Sequence, residues 1–281
     1  MVGVGSATER WSALVAAEHA QADRVRSDAP GEDFWTPFAG QFRPDLAAPD
    51  DPTLQLLTAM LSPDWTILDV GAGGGRLSLP LARRCRHVTA VEPSPAMAGV
   101  LREAATSNGV ENISVVEATW EEAETSPSDL VVCAHVLYTA RDIGPFLRKM
   151  EAHARQWVAV VLFTDPPQSQ LFPFWPRVHG EERLRLPCLS ELIEALGEMG
   201  VGPAVHMLPP RPSQGFADRA RARAALRARL FVTAGTEVDR RLDEAMDELL
   251  VEGPDGALMV RGAPPRNAGL VTWRPAAARR D

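Results

Sequence analysis

The sequence predicts an α/β chain: one doubly wound sheet of seven strands with helices on both faces. Three observations predict it. From Thr53 to Phe163, short apolar runs alternate strictly with helix-period segments, the pattern of a parallel sheet buried on both sides. The first run, "TILDV", leads directly into "GAGGG", and glycines at a strand-to-helix turn mark backbone that must bend sharply or be approached closely. Finally, 281 residues with 45% apolar content can bury a full core as one large domain, or as one domain with an added cap.

The elements follow in chain order. Residues 1–52 form an N-terminal helical cap segment, with one helical pattern (Trp11, Leu14, Val15, His19) and then a proline-rich connector carrying Phe34, Trp35, Phe38 and Phe42. The main domain occupies 53–281. Its pattern predicts a helix near 53–61, a strand at 66–70, a helix at 76–85, a strand at 87–92 and a helix at 95–107. Strands at 113–118 and 129–134, a helix at 143–154 and a strand at 157–163 continue the alternation. The stretch 165–187 is too long and too rich in proline for a routine connection and reads as a lid or substrate loop. A helix at 189–199 and a strand at 204–208 resume the fold. Helical segments at 214–231 and 236–251 then form an insertion over 211–253, and "GLVTWRP" at 269–275 supplies the seventh strand.

Composition narrows the function. A net charge of -8 argues against tight general binding of nucleic acid, which depends on clustered cations that release counterions. A local basic site stays open, but Lys149 is the only lysine and the arginine bias carries no functional weight. Cys85, Cys133 and Cys188 stand far apart and match no metal spacing, so they read as small apolar residues in a reducing compartment, and no metal is expected. No run reaches the eighteen or so apolar residues that span a bilayer, and the N-terminus has neither a basic start nor a cleavable apolar segment. The chain is therefore read as cytoplasmic and off the membrane, with a homodimer left open.

The glycine turn decides the ligand class. A dinucleotide fingerprint, G-x-G-x-x-G, ends on a glycine that lets the helix pack closely, with the helix N-terminus facing a pyrophosphate. Here Gly71-Ala72-Gly73-Gly74-Gly75-Arg76 puts arginine at that place. Asp69, one residue inside the end of the first strand, sets a negative charge beside the turn; that charge repels a pyrophosphate and attracts an ammonium group. Glu92, at the end of the second strand, is placed to accept both hydroxyls of a ribose. An amine, a ribose and no phosphate describe S-adenosylmethionine.

On these residues the chain resembles the class I S-adenosylmethionine-dependent methyltransferases. "LDVGAGGG" looks like their first motif, "VTAVEPSPAM" like their second-strand motif, and "DLVVCAHVLYTARDIGPFLRKM" is similar to their fourth-strand segment, over roughly residues 53–208. The resemblance implies a Rossmann-like sheet whose last strand is antiparallel and a transferase that methylates an acceptor. It also implies cofactor contacts from Asp69, Gly71, Ala72, Gly73, Gly75, Glu92, Pro93 and Met97, with Met97 flanking the adenine, and from Ala134 and His135. The acid that family members often carry after the third strand is replaced by Thr119. Its hydroxyl and the Trp120 amide can serve the adenine edge, or Thr119 and Glu122 can form a helix N-cap.

Methyl transfer needs alignment more than catalytic groups, and a base matters only when the acceptor must lose a proton. His135 is a candidate base or a backbone partner; Tyr138 steers a substrate or packs. His179 is a third catalytic candidate; with Glu181 it follows Phe172, Phe174 and Trp175, which read as an acceptor wall or a small satellite core. Arg219, Arg223 and Arg227 form a stripe, read first as a solvated face and second as an anion or RNA contact. "TDPPQ" at 164–168 lacks the stacking aromatic of nucleobase-amine methyltransferases and reads as a loop start. The leading reading is a methyltransferase of a small molecule. A methyltransferase of RNA or protein and a non-catalytic cofactor-binding protein are the alternatives, and a dinucleotide oxidoreductase is rejected by Asp69 and Arg76.

Overall fold

The computed structural model describes residues 5–26, 33, 35, 36, 38–46, 51–211, 215–253, 255–276 and 278; Phe34 lies outside them. Helix α1 (Ala7–Val25) starts on a reciprocal cap between Ser6 and Glu9. Helix α2 (Pro52–Met60) starts on Asp51, which accepts from the Thr53 amide, with proline at the first helical position. Next come β1 (Thr66–Val70), α3 (Ser78–Ala82), β2 (His87–Val91), α4 (Pro95–Ser107), β3 (Ile113–Val116), β4 (Ser128–Ala134), α5 (Ile143–His153) and β5 (Ala154–Phe163). The remainder holds α6 (Trp175–His179), α7 (Leu189–Glu198), β6 (Ala204–Met207), α8 (Arg219–Arg229), α9 (Glu237–Leu249), the short pair β7 (Leu250–Glu252) and β8 (Leu258–Val260), and β9 (Ala268–Trp273).

Seven of these strands form one sheet in the order β3-β2-β1-β4-β5-β9-β6. β1 runs parallel to β2 and β4, β2 to β3, and β4 to β5, while β6 and β9 are antiparallel. The doubly wound fold and its antiparallel last strand are therefore as expected. The winding direction reverses between β1 and β4, so the crevice for a ligand opens beyond the carboxyl ends of these two strands.

Three departures have local causes. The helix expected at 76–85 is confined to Ser78–Ala82, because residues 71–77 are spent in the glycine turn. β5 begins at Ala154 rather than 157, since Ala154 pairs with Ser128 before a register shift. The β7–β8 pair was not expected: β7 replaces the last residues of the helix read to 251 and β8 falls where no element was read; it is three residues per strand and turns where the Gly253 amide donates to the Ala257 carbonyl at 2.7 Å.

The chain divides into two compact units. One holds the sheet and combines Pro30–Leu162, Ile193–Leu208 and Gly269–Asp281. Its core is the strand interior, with Ile67, Leu68, Leu130, Val131, Val132, Val158, Val160 and Val161 fully buried. The other combines Met1–Ala29, Phe163–Leu192 and Pro209–Ala268. Thus the N-terminal helix, the 165–187 loop and the 211–253 insertion gather together, whereas the connector after residue 29 groups with the sheet rather than with the helix before it. In this second unit Leu171, Phe174, Trp175 and Val178 pack on Ala222, Leu226, Leu242, Met246 and Leu249. Helix α1 is fastened there by polar contacts: Gln21 Nε2 donates to the Glu182 carbonyl at 2.7 Å, Gln21 Oε1 accepts from the Leu184 amide at 2.8 Å, and Arg183 forms an ion pair with Glu18. No helix among the described residues is long and apolar enough to cross a membrane.

Candidate functional site

At the carboxyl edge of the sheet, Val70 pairs with Val91 on one side and Cys133 on the other. The chain then folds back, and the Gly71 and Ala72 amides both donate to the Val91 carbonyl, at 2.8 and 3.0 Å. That return needs φ of 73° at Gly71, a conformation that costs an L-residue about 1–2 kcal/mol, and a Cβ there would strike Val136. Gly74 is bare for another reason: the carbonyl oxygen of Phe42 occupies the space its Cβ would need. This third glycine of the turn therefore admits the chain's own connector rather than a ligand.

Two carboxylates border this turn. Asp69 is 2% exposed, and Ser78 Oγ donates to its Oδ2 at 2.5 Å. Burial pushes its pKa up to about 6, against the opposing pull of Ser78 and Arg76, and nearby Glu92 adds to the rise. Arg76, where a dinucleotide site would have glycine, forms an ion pair with Asp51. Glu92 is 5% exposed; its Oε2 accepts from the Gly73 amide at 2.7 Å and its Oε1 from the Ser94 amide at 2.9 Å. Burial raises its pKa while these two amides lower it. Both oxygens are thereby held in place, and each keeps a lone pair for a further donor.

Pro93 and Ser94 lead into α4, whose first turn is capped by Ser94 Oγ accepting from the Met97 amide at 3.1 Å. Asp33 completes that end: its Oδ2 accepts from Ser94 Oγ at 2.7 Å and from the Ala96 amide at 3.3 Å. Met97 is buried, and its methyl carbon lies 3.4 Å from where a Cβ on Gly73 would stand. The structure thus brings together Asp69, Gly71, Ala72, Gly73, Gly75, Glu92, Pro93 and Met97. The donor set suits an ammonium group and vicinal hydroxyls, and a diphosphate at this helix start would face two carboxylates. An aminoacyl nucleoside without phosphate, S-adenosylmethionine, therefore fits these residues.

Thr119 accepts from the Glu122 amide at 3.4 Å and donates to Glu122 Oε2 at 2.9 Å. This is the capping arrangement, here closing a turn rather than starting a helix. The Trp120 indole is buried, with Nε1 donating to the Phe146 carbonyl at 3.3 Å. Lys149 sits 4.7 Å above that ring and donates to the carbonyls of Trp120, Glu121 and Ala123 at 2.6, 3.0 and 2.8 Å. The indole is thus part of the packing, and a ligand contact from this position falls to the backbone.

Beyond Ala134, His135 has φ of 61°, an uncommon conformation for a residue with a Cβ and one that clusters at functional sites. Its amide donates to the Val161 carbonyl at 2.8 Å, and its Nδ1 lies 3.0 Å from the Tyr138 hydroxyl. His179 belongs to the other unit. There its Nε2 lies 2.8 Å from the Leu230 carbonyl and its ring packs 4.4 Å from Trp175, while Glu181 pairs with Arg24. Phe174 and Trp175 are core residues of that unit. The arginine stripe is also engaged: Arg219 pairs with Asp247, Arg223 with Asp243, and Arg227 with Asp239, all on α9. The three cysteines are buried free thiols.

Asp33, Ser78, Ser94 and Val136 had not been singled out from the sequence, and Phe42 only as one of the connector's aromatics, with no sign that its carbonyl meets Gly74. "PSP" at 93–95 did carry a readable helix start, Ser94 before proline. Nothing local announces Asp33, which lies 61 residues from its partner Ser94.

Residues 67–156 match the family model of a methyltransferase domain. The chain is similar to the rRNA adenine N-6-methyltransferase of Saccharopolyspora erythraea, 40% identical over 81 residues, 29% of this chain and 21% of that one. It is also similar to the ubiquinone biosynthesis O-methyltransferase of Aeromonas salmonicida, 37% identical over 101 residues, 35% of this chain and 42% of that one. The matches span less than half the length of these relatives. Among solved structures, the YcgJ protein of Bacillus subtilis shares the fold with a TM-score of 0.55 at 18% identity, covering 79% of this chain and 97% of that one. Residues 67–156 thus carry a methyltransferase domain, and the sheet around it shares its fold with YcgJ.

Proposed function

We propose that the protein is an S-adenosylmethionine-dependent methyltransferase acting on a small-molecule acceptor. The observation that carries this is the pairing of Asp69 and Glu92 on adjacent strand ends around the glycine turn, both buried and both fixed by neighbouring donors. In this reading Asp69 receives the cofactor's ammonium group, Glu92 its ribose hydroxyls, and Met97 lies against the base. When bound, the cofactor supplies a methyl group already activated by its sulfonium. The protein's part is to hold that group in line with the acceptor and to keep water away.

A small-molecule acceptor is favoured over RNA because Arg219, Arg223 and Arg227 are engaged by acids of α9, and because the net charge is -8. Calorimetry with S-adenosylmethionine and with its demethylated product tests the reading. Binding at micromolar concentration is expected with both; folded protein that gives no heat with either overturns it.

A further inference from the structure

We propose that Asp33 is a positioning residue of the cofactor site: it locks the Ser94 corner that aims Glu92 at the ribose, so the connector ahead of the sheet takes part in ribose recognition. The inference rests on the methyl-transfer reading above and adds to it a residue from outside the matched stretch 67–156. Contacts in series carry it. Asp33 Oδ2 accepts from Ser94 Oγ at 2.7 Å. The same hydroxyl oxygen accepts from the Met97 amide at 3.1 Å, and the Ser94 amide donates to Glu92 Oε1 at 2.9 Å. A hydroxyl has one proton to give; with Asp33 taking it, a lone pair is left for Met97, and the buried residue 94 is held from three directions. Glu92 Oε1 thereby keeps its aim while the Gly73 amide fixes Oε2. Two neighbouring ribose hydroxyls need both oxygens in place at once, since a turned carboxylate can meet only one of them.

Asp33 is itself braced. Its Oδ1 accepts from the Trp35 amide at 2.9 Å, and the Trp35 ring meets Phe42 edge to face at 5.3 Å. The Phe42 carbonyl then lies against Gly74, and Arg43 Nη2 donates to Glu103 Oε2 at 2.6 Å. The connector thus follows α4 from its first turn to Glu103 and touches the glycine turn on the way. Asp33 also serves the helix: its Oδ2 accepts from the Ala96 amide at 3.3 Å, and a negative charge suits a helix start. That role differs from positioning in one respect. A helix cap supports every ligand of the site equally, whereas an aimed Glu92 matters only to a ligand that carries ribose hydroxyls.

Calorimetry with S-adenosylhomocysteine beside its 2′,3′-dideoxy analogue uses that difference. Asp33→Ala should weaken S-adenosylhomocysteine about tenfold and the dideoxy analogue by no more than about twofold. Asp33→Asn keeps an oxygen acceptor for Ser94 Oγ and should recover most of the loss. In a double-mutant cycle, Asp33→Ala and Ser94→Ala should be strongly non-additive, because either change breaks the same link. Each comparison of the two ligands is made within one folded variant, so a general loss of stability does not imitate the expected ratio. Equal losses for both ligands, no loss in Asp33→Ala, no recovery in Asp33→Asn, or additive effects overturn the proposal while the methyl-transfer reading stands. Wild-type protein that binds both ligands equally removes the ribose role of Glu92, and wild-type protein that binds neither sinks the methyl-transfer reading; in both cases the proposal falls with its premise.

Discussion

Asp69 sets a pH dependence whose sign separates its two roles. Its pKa in the free protein is about 6 because of burial, against an unfolded value near 3.9. A raised carboxyl pKa means that the folded state binds more protons than the unfolded state between about pH 4 and 6. This group therefore stabilises the free protein below pH 4 relative to pH 7, by roughly 3 kcal/mol for a two-unit shift, and the gain is lost as pH rises through 6. Cofactor binding should run the other way. An ammonium group requires the ionised carboxylate, so at pH 5, where about one Asp69 in eleven is ionised, affinity should be about tenfold weaker than at pH 7.5. Glu92, whose pKa is also raised, pushes the same way. The contribution of Asp69 is read as the difference between wild type and Asp69→Asn, by calorimetry for affinity and by denaturant titration for stability. If both proteins show the same affinity profile from pH 5 to 7.5, Asp69 does not receive the ligand's amine.

Other perturbations have simpler signs. Glu92→Ala should weaken cofactor binding by about 100-fold, since it removes the ribose partner and frees the Gly73 and Ser94 amides, at about 1.5–3 kcal/mol for a hydrogen bond to a charged group; calorimetry checks it. Gly71→Ala should cost at least about 1–2 kcal/mol from its φ of 73°, more from the collision with Val136, and Val136→Ala should restore only the collision part in a double-mutant cycle. Lys149→Met should lower the melting temperature by leaving three carbonyls without their shared donor. The pair Arg223→Ala and Arg227→Ala should destabilise the α8–α9 contact yet leave cofactor affinity unchanged.

Legibility from sequence followed the range of the interaction. Most strands of the sheet are short apolar runs between helix-period segments, so their places along the chain were readable from periodicity, whereas the antiparallel last strand came from the family resemblance. The carboxylates were readable because strand register carries Asp69 and Glu92 to one edge once β1 and β2 are adjacent. What could not be read depends on distant partners: Asp33 on Ser94, Phe42 on Gly74, Lys149 on the carbonyls around Trp120. The gathering of α1 with two segments far along the chain also rests on pairs with no local signature, such as Arg183 with Glu18 and Gln21 with Glu182.

Glycine was the loudest feature of the turn and the least specific. Gly71 is required by the fold-back onto Val91 and by Val136, and Gly74 by the carbonyl of Phe42; both reasons are internal to the fold and would hold with any ligand or none. The choice between ligand classes lies in residues that glycine counting ignores. A carboxylate inside β1, a second one ending β2, and an arginine drawn away to Asp51 make the edge acidic where a dinucleotide site must receive phosphate. Substitutions at the glycines therefore test whether the chain folds, whereas those at Asp69 and Glu92 test what it binds. A variant series that lost cofactor affinity at the glycines while sparing the acids would show that backbone shape, not charge, selects the ligand.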